Sequence, residues 1–156
     1  MRIPLLLSLL ISSVALGVPA SAQDREVPYW VSLRSDEVNM RRAPGEDYPI
    51  EWVYRRALLP LKVVRIHEGW RLVEDPDGEI GWISARLLQL DRAALVIGEE
   101  LAPMRDAPAD NAELLWNAEP GVVGLLGECQ AGWCEFDVEG REGWINADRI
   151  WGEGEP

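Results

Sequence analysis

Part of this chain occurs twice. Met40-Arg41-Arg42-Ala43-Pro44 returns as Met104-Arg105-Asp106-Ala107-Pro108, and at the same offset of 64 Trp52 returns as Trp116. Gly69-Trp70 returns as Gly132-Trp133 at an offset of 63, and Gly81-Trp82-Ile83-Ser84-Ala85 as Gly143-Trp144-Ile145-Asn146-Ala147 at 62. Self-similarity of this kind decides architecture before any single element does. A length of 156 residues fits one large or two small domains. Anchors kept in order, with one-residue slips that fall in loops, select two homologous units.

Inside each unit the pattern is one of short strands and tight turns. Leu61 to Ile66 and Trp70 to Glu74 flank Glu68-Gly69, and Asp77-Gly78 precedes Glu79 to Ile83. Such x-Gly pairs favour two-residue hairpin turns. The second unit repeats the plan with Val122 to Cys129, Ala131-Gly132, Trp133 to Val138 and Glu139-Gly140. Each unit closes on a short helical turn, Ser84 to Leu87 or Asn146 to Arg149, and a last strand, Leu88 to Leu90 or Ile150-Trp151. No long amphipathic helix interrupts this β-meander. A unit of about 50 residues buries a marginal core, which accounts for eight Trp beside three Tyr and one Phe.

The first unit carries a recognisable series: Asp36-Glu37-Val38-Asn39-Met40-Arg41, Ala43-Pro44-Gly45-Glu46-Asp47-Tyr48-Pro49-Ile50, Gly69-Trp70 and Gly81-Trp82-Ile83. It resembles the bacterial Src-homology-3-like (SH3-like) domain, and Tyr29 to Val96 is similar to small exported proteobacterial proteins of that type. The resemblance implies an all-β fold of two tandem small SH3-like β-barrels, each of five or six strands, following a signal peptide. The residues themselves divide the chain into a signal peptide at 1–22, a lead-in at 23–34, a first barrel at 35–90, a linker at 91–99, a second barrel at 100–151 and a disordered acidic tail at 152–156. Related domains accompany cell-wall hydrolases and bind peptidoglycan or peptide segments. Within these 156 residues no hydrolase domain is expected. The second unit departs from the pattern: Pro103 replaces Asn39, and Ala109 to Glu113 lacks the Gly and Tyr-Pro elements. Ser84 stands where similar proteins often carry His.

Residues 1–22 have the features of a secretory signal. Arg2 is followed by the apolar run Leu5 to Val18 and the small-x-small site Ala20-Ser21-Ala22. The run falls short of the roughly 20 residues that span a bilayer. The expectation is export, cleavage after Ala22, a periplasmic or secreted location and no stable membrane insertion afterwards. Losing Arg2 changes 15 cations against 27 acids to 14 against 27, a formal charge of -13. That field disfavours nucleic acid and anionic membrane surfaces. Arg41, Arg42, Arg55 and Arg56 form a local basic stretch, offset by Asp36, Glu37, Glu46 and Asp47.

Groups for catalysis are sparse. His67 is the one histidine and adjoins a hairpin tip. No zinc, calcium or phosphate-loop pattern stands out, so neither metal nor cofactor is expected. The acids near Glu37 and Glu46 match no glycosidase cleft. A non-enzymatic binding role follows. The candidate ligand-binding residues are Asn39, Arg41, Tyr48, Trp52, Trp70 and Trp82. An exposed Tyr48 with Trp52 would form a groove for a sugar or a proline-rich segment; core packing is the other reading. Strand alternation places Trp82 and Ile83 on opposite faces without fixing which is inside. Arg41 either forks onto carbonyls of the neighbouring loop or holds a stem-peptide carboxylate, and Asn39 is expected to bond the same loop. The expected partner is peptidoglycan or an envelope protein, with the first barrel as the binder. The alternative is a structural adaptor or spacer that makes protein contacts without touching the wall.

The two cysteines, Cys129 and Cys134, flank Ala131-Gly132. A two-residue turn there would pair Gln130 with Trp133 and set Cys129 opposite Cys134 at a non-hydrogen-bonded position about 4.5 Å apart, at the short edge of disulfide geometry. A structural disulfide is the expectation in an oxidising compartment. A redox-active pair and two free thiols are its rivals. The first unit has Ile66 and Arg71 there, so only the second barrel would be stapled.

Overall fold

A computed structural model describes residues 25–156, and the expected signal segment and its cleavage site lie outside the described residues. The first unit consists of β1 (Tyr29–Leu33), β2 (Val38–Arg41), β3 (Ile50–Tyr54), β4 (Pro60–His67), β5 (Trp70–Glu74), β6 (Ile80–Ser84) and β7 (Leu88–Gln89). The second consists of β8 (Ala93–Val96), β9 (Ala102–Arg105), β10 (Leu114–Ala118), β11 (Val123–Gln130), β12 (Trp133–Val138), β13 (Arg141–Asn146) and β14 (Ile150–Trp151). Their sheets run β3-β2-β6-β5-β4-β1-β7 and β10-β9-β13-β12-β11-β8-β14, the same order displaced by seven strands. A single turn of 3-10 helix, Ala85–Leu87 or Ala147–Arg149, precedes each last strand.

Each barrel therefore has seven strands rather than five or six. The extra ones lie where the motif is silent. β1 falls within the expected lead-in and pairs with β4, and β8 falls within the expected linker and pairs with β11. Both bury alternate side chains, Val31 and Leu33 or Ala94 and Val96.

Three of the four hairpin turns close as the x-Gly pairs imply, at His67↔Trp70, Gln130↔Trp133 and Val138↔Arg141. Ala131 and Gly132 have φ of 51° and 81°, and Glu139 and Gly140 have 55° and 85°, the paired positive values of a turn that follows strand twist. Asp77-Gly78 is different. It belongs to a longer loop between the register partners Glu74 and Ile80. The Gly78 amide donates to the Asp75 carbonyl at 3.0 Å, and the Asp77 and Glu79 amides donate to Asp75 Oδ1 at 3.0 and 2.9 Å. The Asp75 carboxylate thus organises this turn.

The two cores fill one plan in two ways. Met40 and Ile83 correspond to Met104 and Ile145, all buried. Val31, Val38, Tyr54 and Leu61 become Ala94, Ala102, Ala118 and Gly124, while Val73 enlarges to Phe136. The enlargement fills the gap directly: a Cβ on Gly124 would lie 2.7 Å from the Phe136 ring. The second core still has fewer apolar groups, each buried methylene being worth about 0.8 kcal/mol.

Each barrel has its own supplementary tie. In the first, the buried Tyr54 hydroxyl donates to Asp75 Oδ2 at 2.9 Å, joining core to turn. Burial first, and then the Asp75 charge, pushes the Tyr54 phenol above its ordinary range. The second barrel has Ala118 and Val138 at those positions, and it carries the Cys129–Cys134 disulfide, with Cα atoms 4.0 Å apart. Cys134 is fully buried in the core, so the bond ties the hairpin tip to it.

The chain ends against the junction of the barrels. Trp30 and Trp151 meet edge to face at 4.8 Å, and Trp30 Nε1 donates to the Gly154 carbonyl at 3.1 Å. Arg92 donates to the Gly152 and Gly154 carbonyls at 2.8 and 3.3 Å. The Ser32 hydroxyl, wholly buried, donates to the Asp91 carbonyl at 2.9 Å. The tail expected to be disordered is thus held through Gly154. Gly152 has φ of 112°, and a Cβ there would sit 2.6 Å from the Ala93 carbonyl oxygen.

Replacing Tyr54 with Phe should destabilise the first barrel by about 1–2 kcal/mol, because Asp75 loses a buried donor. The raised phenol means that the folded state keeps its proton more tightly than the unfolded chain. Stability is full below the unfolded value near 10 and falls as pH rises past it; Y54F should flatten that alkaline decline. Urea denaturation across pH measures both. Reducing the disulfide should remove about 2 kcal/mol from the second barrel. Hydrogen exchange should then quicken at Phe136 and Ile145 and stay unchanged at Val73 and Ile83.

Candidate functional site

The loop between β2 and β3 is built on Arg41. This residue lies beside Trp82 and Ile50 across neighbouring strands, and its guanidinium donates to the Tyr48 carbonyl at 2.6 Å. Arg105 repeats the contact in the second barrel, donating to the Ala112 carbonyl at 2.7 Å. A planar fork suits such a loop clamp. The carbonyl-binding arrangement is the one present. Asn39 is half-buried on β2 opposite Val53; the side-chain hydrogen bond from β2 to the loop comes from Arg41.

Arg41 fixes the backbone of Tyr48, and Gly45 gives its ring room: a Cβ on Gly45 would come within 3.0 Å of that ring. Tyr48 is 49% exposed, Ile50 46% and Trp52 58%, an apolar run on the edge strand β3 and the loop before it. Ile80, which begins β6, is exposed as well. The equivalent Trp116 is partly buried. The Arg141 guanidinium lies 4.4 Å from the centre of its ring, and its indole nitrogen donates to the Glu142 carbonyl at 3.5 Å. Glu79 and Ile80 replace those two residues in the first barrel. With no cation over it among the described residues, Trp52 stays open.

The remaining tryptophans divide differently. Gly81 and Ile83 face the core, since a Cβ on Gly81 would strike the Met40 side chain at 2.4 Å and Ile83 belongs to the core cluster. Trp82 is on the opposite face, yet only 6% exposed. Arg65 covers its ring at 5.1 Å and His67 meets it edge-on at 6.1 Å. Trp70 is half-buried on β5. The six candidate residues therefore form no single constellation: Tyr48 and Trp52 are presented to solvent, Arg41 positions Tyr48, and Trp82 is covered.

Among the described residues the groups considered for catalysis are not brought together. Both cysteines are in the disulfide, so His67 has no thiol partner. Glu37 and Glu46 pair with Arg55 and Arg86, both at 2.7 Å and exposed. Among the described residues no His, Cys, Asp and Glu cluster has metal-binding geometry, and no helix is long and apolar enough to cross a membrane.

Reading the motif alone passes over a groove in the second barrel. It has a volume of about 460 Å³ and is lined by Arg105, Leu125, Glu135, Asp137, Glu142 and Trp144, among others. The signal for it was available only by comparing repeats: Val64 becomes Gly127 and Leu72 becomes Glu135.

Comparison with known proteins yields a family. The bacterial SH3 domain matches residues 34–89 and again residues 98–152. No curated protein matches. Among solved structures, NlpC2 from Trichomonas vaginalis is 14% identical, with 83% of this chain and 50% of that one covered and a TM-score of 0.36. NlpC1 from the same organism is 15% identical, with 90% and 51% covered and a TM-score of 0.36. This chain spans about half the length of either, and likeness at that level carries no functional argument. The two family matches fall on two sheets of identical strand order, and the chain belongs to the bacterial SH3 domain family, with two copies in tandem.

Proposed function

We propose that this protein is an exported, non-catalytic binding module of the cell envelope, and that its ligand is peptidoglycan. The observation that carries the reading is the exposure of Tyr48, Ile50 and Trp52 together on one edge of a barrel too small to spare aromatic residues from its core. Aromatic faces held open in this way stack on sugar rings or on proline-rich segments. Arg41 keeps Tyr48 in place, which limits the entropy lost on binding. The signal-like residues 1–22 and the disulfide support a periplasmic or secreted location. The acidic charge favours neutral or cationic envelope material over teichoic polymers.

Purified protein should be retained on insoluble peptidoglycan. Each stacked ring contributes about 0.5–1.5 kcal/mol, so replacing Tyr48 and Trp52 with Ala should weaken retention roughly tenfold, while Trp116→Ala leaves it unchanged. Retention of an envelope protein with none on the wall would establish the adaptor role in its place. Intact-mass measurement of protein recovered from the periplasm should give a chain beginning at Gln23; a mass that includes residues 1–22 would contradict processing.

A further inference from the structure

The groove of the second barrel has a chemistry that its first-barrel counterpart lacks. Four carboxylates, Asp106, Glu135, Asp137 and Glu142, line it with one guanidinium, Arg105. The matching positions of the first barrel hold Arg42, Leu72, Glu74 and Ile80, beside Arg41. Lys62 there pairs with Glu74 at 3.0 Å, whereas the second barrel has Leu125 opposite Asp137, which removes the cation and leaves an apolar wall. Gly127 makes room for the Glu135 side chain at the site. A Cβ on it would come within 2.7 Å of the Glu135 carboxylate, in the space that Val64 occupies in the first barrel.

Two of these groups have capacity left for a ligand. The Arg105 Nε–H is buried and has no hydrogen-bond partner among the described residues, although the same guanidinium clamps the Ala112 carbonyl. A buried donor without an acceptor is costly, and a carbonyl oxygen entering the groove would satisfy it. The Glu142 carboxylate is exposed and makes no ion pair among the described residues. The volume lies in the range of ligand clefts, roughly 300–1,000 Å³.

We propose that this groove binds a short basic segment of a partner protein, with a lysine or arginine against the acidic rim, an apolar neighbour against Leu125 and Trp144, and a backbone carbonyl on Arg105 Nε–H. Charge complementarity selects this occupant: an acidic segment or an anionic polymer would meet four carboxylates at close range. The site is separate from the Tyr48–Trp52 edge and does not depend on what that edge binds.

The test is calorimetric titration of the full chain with a capped hexapeptide Pro-Lys-Leu-Arg-Leu-Pro and with its counterpart carrying glutamate at both basic positions. Saturable binding of the basic peptide is expected, at least about tenfold tighter than the acidic one and weaker at high salt. Glu142→Gln, a change at an exposed position that preserves the fold, should weaken it about threefold, and adding Asp106→Asn about tenfold. The Arg105 Nε–H signal should shift in NMR spectra on titration. Three results would each overturn the proposal: equal binding of both peptides, loss of binding in Trp52→Ala with E142Q unaffected, or binding of N-acetyl-lysine amide as tight as that of the peptide.

Discussion

The governing constraint is size. A seven-stranded barrel spanning only residues 29–89 or 93–151 exposes much of its chain, and apolar burial alone leaves it near the margin of stability. The rest of the design follows from how each copy meets that constraint. The first barrel keeps larger aliphatic residues and adds the Tyr54–Asp75 hydrogen bond, which ties a core ring to the only turn of four that is not a two-residue hairpin. The second shrinks four core positions, enlarges one to Phe136 and closes a disulfide at a hairpin tip. One tie is polar and the other covalent, and neither barrel has the other's.

The inner faces diverge mainly in side-chain size, and the outer faces diverge in chemistry. The clamp from Arg41 or Arg105 to the following loop is shared. What surrounds it is not. Arg141 covers Trp116, while Glu79 stands at the matching position and leaves Trp52 open. Replacement of Val64 and Leu72 by Gly127 and Glu135 brings a carboxylate into the groove of the second copy. A single fold thus displays two chemically distinct surfaces, one aromatic and one anionic.

The junction between the copies uses the remaining outer face of the first barrel. Trp30 and Ser32 on β1 receive Trp151, Gly154 and the Asp91 carbonyl of the second half. Gly152 permits the approach, since any larger residue would collide with the Ala93 carbonyl. The contacts join β1, the segment at Asp91 and Arg92, and residues 151–154, so the residues after β14 belong to the fold.

The sequence by itself determined the all-β class, the duplication, the three two-residue turns and the pairing of Cys129 with Cys134. All are local: they follow from period-two patterning, from glycine at positive φ and from counting outward from a turn. Strands β1 and β8 escaped because they lie outside the repeated anchors and only the sheet reveals their partners. The faces of the tryptophans were decided by tertiary structure. Trp82 is covered by Arg65 and His67 reaching across β5 from β4, and among the described residues Trp52 has no counterpart of the cation that covers Trp116. Side-chain alternation says which residues share a face; which face is covered depends on groups brought across the sheet from distant positions, and that information exists only once the chain has folded.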